Sequence, residues 1–191
     1  MSGAPRHVHD PIDQLLEEHR SIMAEVEDLR RAVAALREDG DAALPLALPA
    51  LRSVGRMMAT RLLRHARKED EALFPALERT FGTTDGPTAV MRQEHRAIHD
   101  RARLFRETLR ELNEVEHPAI VAGGTTLRAL AERGGDAAAL AETGEEIVSL
   151  LDLHFGKEED ILFPMARGVL SDREMEEVGR RMEAIEAAGT P

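Results

Sequence analysis

The sequence predicts an all-α fold: an up-down-up-down four-helix bundle with an additional C-terminal helix. Two observations lead there. Four long stretches carry apolar residues at helical steps of three and four, and each stripe holds one histidine in register with its apolar positions. In addition, one phrase is written twice: His65-Ala-Arg-Lys68-Glu69-Asp70-Glu71-Ala-Leu73-Phe74-Pro75 recurs as His154-Phe-Gly-Lys157-Glu158-Glu159-Asp160-Ile-Leu162-Phe163-Pro164. A shorter phrase precedes each copy, Glu18-His19-Arg20-Ser21-Ile22 and then Glu94-His95-Arg96-Ala97-Ile98.

Asp10-Pro11 announces the first helix, an N-cap followed by proline at the first helical position. Its stripe is Ile12, Leu15, Leu16, His19, Ile22, Met23, Val26, Leu29 and Val33, and Gly40 ends it. A second helix starts in the Pro45 to Pro49 stretch and carries Val54, Met58, Leu62, His65, Glu69 and Leu73. Thr83 to Pro87 reads as a turn, after which Met91, His95, Ile98, Ala102, Phe105, Leu109 and Leu112 trace the third stripe. The fourth runs through Ile147, Leu150, Leu151, His154, Glu158, Ile161, Leu162 and Met165. Ser171-Asp-Arg-Glu174 is a capping box that opens a terminal helix to about Ala187, expected on the outside of the bundle.

The repeats are offset by 76 residues from His19 to His95 but by 89 from His65 to His154. The surplus falls between the third and fourth helices, around a weaker helical segment at Thr126 to Arg133. The chain therefore divides into an N-terminal tail (1–10), the bundle (11–166) and a C-terminal helix and tail (167–191). Pro75 and Pro164 are expected to kink or end their helices, with the preceding Leu-Phe sealing the core beside the site.

The chain has 191 residues, enough for one domain with a real core, and a formal net charge of −11, which argues against nucleic acid or an anionic membrane as partner. It contains no cysteine, tyrosine or tryptophan, which excludes disulfides, thiolate metal sites, thiol nucleophiles and tyrosyl radicals. Redox chemistry must then reside on a bound metal. The N-terminal residues show no apolar signal region and no later run could span a bilayer, so the expected location is cytoplasmic.

A helix turns once per 3.6 residues, so His65 with Glu69 and His154 with Glu158 each share a face, one turn apart. Imidazole and carboxylate aimed at one point are metal ligands. Burying so many polar groups without a metal costs about 1 to 3 kcal/mol per unsatisfied neutral group, and more per carboxylate. Glu158 is preferred to Glu159 as ligand because it shares the face of His154, although Glu159 could still reach inward. Asp70, Glu71, Glu159 and Asp160 are expected to be solvated or to support the ligands from behind. Lys68 and Lys157 are expected to face solvent. His7, His9 and His117 are left out of the site.

These motifs make the chain resemble the haemerythrin-like, or HHE cation-binding, proteins over residues 11 to 166. The resemblance implies a non-haem di-iron centre held by His19, His65, Glu69, His95, His154 and Glu158, with both glutamates and an oxo or hydroxo group bridging the two Fe ions. It also implies that His99 is a ligand, matching the HxxxH of oxygen-carrying haemerythrins. One iron would then carry three histidines and be closed, the other two and be open to O2, NO or H2O2. Oxygen carriers place the last bridging carboxylate five residues after its histidine, whereas this chain offers Glu158 at four and Glu159 at five. HHE proteins with the shorter spacing are implied to include sensors, iron-centre repair proteins and peroxide-active proteins. Three functions follow: binding, storage or sensing of O2 or NO; an enzyme that disproportionates hydrogen peroxide or reduces NO; and iron donation to another protein. The first is the leading expectation.

Overall fold

The computed structural model describes residues 10–121 and 136–189, with side chains for 10–110 and 137–189. The N-terminal tail, the segment expected at Thr126 to Arg133, and the side chains of His7, His9, Leu112 and His117 lie outside these. Helix α1 is Pro11–Asp39. The run 44–81, here α2, is built from Leu44–Met57, Leu63–Lys68 and Phe74–Phe81, joined by π turns at Met58–Leu62 and Glu69–Leu73. Helix α3 is Pro87–Val121. The run 136–169, α4, joins Asp136–Lys157 to Phe163–Val169 through a π turn at Glu158–Leu162, and α5 is Asp172–Ala188.

Local chemistry sets the ends. The Asp10 carboxylate accepts the Ile12 N–H at 2.8 Å, and Gly40 stops α1 with φ +59°. Ser171 and Glu174 form the expected capping box, with the Ser171 N–H donating to Glu174 Oε2 at 2.8 Å.

The prolines do not end their helices, which continue to Phe81 and Val169. Pro75 and Pro164 have no N–H to donate, and their rings would crowd the carbonyl four residues back. In each repeat the turn just before the proline widens to π geometry: the Phe74 N–H reaches Glu69 O, and the Phe163 N–H reaches Glu158 O. The extra residue absorbs the proline, and helix continues beyond it.

α1 packs on α2 and α4, and α3 packs mainly on α4. Alternation of direction follows from the two apolar clusters that fill the bundle. One contains Ile22, Leu62, Ile98 and Leu151. The other contains Leu15, Leu73, Met91 and Leu162. Each helix thus passes from one cluster to the other, and His19, His65, His95 and His154 sit at the crossing, in a polar layer between two dry ones. The Leu-Phe pairs seal the second cluster: Leu73, Phe74, Leu162 and Phe163 are all buried. Ile161, expected in the fourth stripe, is instead 60 % exposed, because the π turn rotates it outward and brings Leu162 in. α5 packs outside the bundle against α1 and α2, burying Val178, Met182 and Ile185.

α1 and α4 approach closely at Gly144, where a Cβ would stand 2.6 Å from Val33 Cγ2. Gly144→Ala is expected to cost about 1 to 3 kcal/mol by overpacking, read as a lower urea midpoint with unchanged slope.

Candidate metal centre

Six side chains converge at the crossing layer in two sets of four. His19, His65, Glu69 and Glu158 bring ligand atoms within 4.8 Å of one another, and so do Glu69, His95, His154 and Glu158. Both glutamates belong to both sets. All six residues are buried, and both glutamates are fully so. Within the sets, His19 Nε2 lies 3.3 Å from Glu158 Oε2, His65 Nε2 3.5 Å from Glu69 Oε2, His95 Nε2 3.2 Å from Glu69 Oε2, and His154 Nε2 3.2 Å from Glu158 Oε1.

Each imidazole is oriented from behind by a carboxylate. His19 Nδ1 meets Glu159 Oε1 at 2.7 Å and His65 Nδ1 meets Glu18 Oε2 at 3.0 Å. His95 Nδ1 meets Asp70 Oδ1 and His154 Nδ1 meets Glu94 Oε2, both at 3.1 Å. A carboxylate accepts only, so Nδ1 carries a hydrogen and Nε2 faces inward, the nitrogen left to meet a metal. The pattern crosses between elements: the glutamate beside each first histidine holds the histidine of the following HxxxE, and the acid after each ligand glutamate holds a first histidine. Glu159 is therefore placed behind His19, and Glu158 is the carboxylate in the layer.

The residues fit a metal pair. Both oxygens of Glu69 and of Glu158, with His95 Nε2 and His154 Nε2, are buried without a hydrogen-bond partner among the described residues. His19 Nε2 and His65 Nε2 point at each other across 2.9 Å, two lone pairs that a cation held by their set would relieve. Electrostatics of the metal-free layer agree. Burial raises Glu69, and burial with the neighbouring Glu69 charge pushes Glu158 up to about 8. Burial lowers His65, and burial with nearby imidazoles takes His154 down to about 2. His95 would also fall by burial, but its hydrogen bond to Asp70 and the nearby Glu69 carboxylate carry it up to about 10. Protons thus remain on Glu158 and His95 where a metal needs lone pairs. Metal binding near pH 7 should release protons and tighten as pH rises through 8. Calorimetry in buffers of different ionisation enthalpy reads that release directly; heats independent of buffer would contradict it.

His99 stands outside both sets. It is half-buried, one turn after His95, and its Nε2 is buried and unpartnered among the described residues. Burial and the nearby His95 lower its pKa.

Lys68 corrects an expectation: far from facing solvent, it is 1 % exposed, donating to Glu18 Oε1 at 2.6 Å and reaching Glu186 of α5 at 2.5 Å. α5 covers it, which the stripe of α2 alone could not reveal. Hydrogen bonds to His65 and Lys68 outweigh burial and hold Glu18 down at about 2. Lys157 makes the same bond to Glu94 but is 43 % exposed. Lys68→Ala should therefore cost about 1 to 3 kcal/mol in urea unfolding and Lys157→Ala less than about 1.

Aromatic rings wall the layer. Phe155 stacks on His19 with centroids 3.8 Å apart, Phe163 lies 5.4 Å from the same ring, and Phe74 stacks on His95 at 5.7 Å. Phe155 went unnoticed in the sequence; the signal was its substitution for Ala66 in the first repeat. A cavity of about 180 Å³ opens beside His65, lined also by Arg61, Arg64, Lys68 and Glu186. No helix among the described residues is long and apolar enough to cross a membrane.

No curated protein matches the sequence. The family model described as the hemerythrin HHE cation binding domain matches it twice, over residues 10–117 and 114–189, once for each repeat of the duplicated phrase. Together these matches span nearly the whole described chain, and the chain belongs to the hemerythrin HHE cation-binding family.

Proposed function

We propose that the protein holds two iron ions in the crossing layer and uses them to bind, store or sense a small ligand, O2 or NO. The observation that carries this reading is that Glu69 and Glu158 belong to both ligand sets. Two positions that share both carboxylates describe a bridged pair rather than two separate sites. A pair of irons, when bound, supplies electrons and a coordination position for a diatomic molecule or peroxide.

The chain's own residues do the rest. His19 and His65 serve one position, His95 and His154 the other, and Glu18, Asp70, Glu94 and Glu159 keep each imidazole aimed inward. Imidazole-rich ligation carries less negative charge than a carboxylate cage and favours the ferrous state. Phe155 and Phe163 exclude water from the His19 side. His99, with its unpartnered Nε2, is the candidate third imidazole on the His95 side, which would leave the His19 side the more open.

Elemental analysis after anaerobic iron loading, followed by optical spectra on exposure to O2, NO and H2O2, tests the reading. Two irons per chain and a reversible spectral change with O2 or NO are expected. One metal or none overturns the pair, and sustained peroxide consumption without a stable adduct assigns an enzyme instead. His99→Met should keep two irons and shorten the life of any oxygen adduct; an unchanged spectrum and lifetime place His99 outside the ligand set.

A further inference from the structure

The two repeats are covered unequally. Over the first, α5 lies across α2, with Glu186 held by Arg64 and Lys68, and Ala72 buried in the same region of α2. The corresponding positions of the second repeat are Leu153, Lys157 and Ile161. Nothing among the described residues covers them: Leu153 is 65 % and Ile161 60 % exposed. Val90, one turn before Glu94 on α3, is exposed as well, where the first repeat has Gln14. The larger apolar side chains thus lie on the uncovered face, the reverse of what contact with water alone would favour. Gly156 sits among them, inside a helix where glycine is unfavourable, and a Cβ there would meet nothing within 4 Å. No contact within the described chain requires that glycine.

We propose that the α4 face of Leu153, Gly156, Lys157 and Ile161 is a two-fold interface between two copies of this chain. The order of residues selects a second copy. Asp152-Leu153, Gly156-Lys157 and Asp160-Ile161 place acid and apolar residues on both sides of a Gly-Lys centre. Two α4 helices antiparallel about an axis at Lys157 set Leu153 of each against Ile161 of the other. The methylene stem of Lys157 lies on the bare backbone of Gly156 opposite, and its ammonium is shared between its own Glu94 and the Asp160 across the axis. The pairing would shelter Lys157, Glu94 and His154 as α5 already shelters Lys68, Glu18 and His65.

Sedimentation equilibrium of the full, metal-loaded chain should give a dimer that dissociates on dilution. Leu153→Glu and Ile161→Glu should each yield monomers of unchanged metal content and helicity. The chain lacks cysteine, so Leu153→Cys and Ile161→Cys introduce single thiols. Mild oxidation of an equal mixture should form a mixed disulfide dimer in greater yield than either variant alone. A wild-type chain that is monomeric at every micromolar concentration overturns the proposal. So does a dimer that survives both glutamate substitutions, or one whose mixed variants fail to cross-link preferentially.

Discussion

Glu69→Ala or Glu158→Ala is expected to empty both metal positions, not one. Each carboxylate is common to both sets of four, so its removal takes an oxygen donor from each position at once. Loss of an orienting partner behind a ligand typically costs roughly 10- to 100-fold in affinity, and loss of a ligand costs more. Metal content measured after gel filtration should therefore fall from two ions per chain to near none. Glu71→Ala and Asp160→Ala, on exposed positions of the same turns, should retain two. If Glu69→Ala or Glu158→Ala kept a full metal at either position, the carboxylates would not be shared.

Metal removal should have the other large effect. Ions that bind only the folded chain stabilise it by mass action, about 4 kcal/mol for each site at a thousandfold excess over Kd. For a chain of this length 1 kcal/mol moves the melting temperature by about 2 to 4 °C, so stripping both positions should lower it by roughly 15 to 30 °C. The metal-free layer also buries two carboxylates without partners. Calorimetric scans of the loaded and the chelator-treated protein give the difference. Equal melting temperatures would mean that the polar layer is satisfied without metal.

The bundle and the six converging residues were legible because both rest on helical spacing: a ligand one turn from another in an apolar stripe projects into the core whatever the tertiary details. The orienting carboxylates were harder to read. Asp70 and Glu159 follow their ligand glutamates directly and belong, on an ideal helix, to a different face. π turns beginning at Glu69 and Glu158 alter that projection, and nothing in local periodicity announces a π turn except the proline that follows it. Glu18 and Glu94 carried a signal that went unread, since the Glu-His pair is itself repeated. Lys68 is hidden for a different reason: its burial depends on a helix more than a hundred residues away in sequence, and nothing among the described residues covers its twin Lys157 in that way.

The exchange of orienting carboxylates between repeats means that neither half of the chain owns a finished position. Glu159 steadies His19 and Asp70 steadies His95, so each repeat lends the other a part it cannot supply to itself. Within one polypeptide that loan is always repaid, because the connector keeps the lender at a high local concentration. A fragment ending after Phe81 would have to meet its complement, or a copy of itself, before it could hold metal with this geometry. The duplicated chain is, in effect, a pair of interdependent half-sites made permanent by a peptide link.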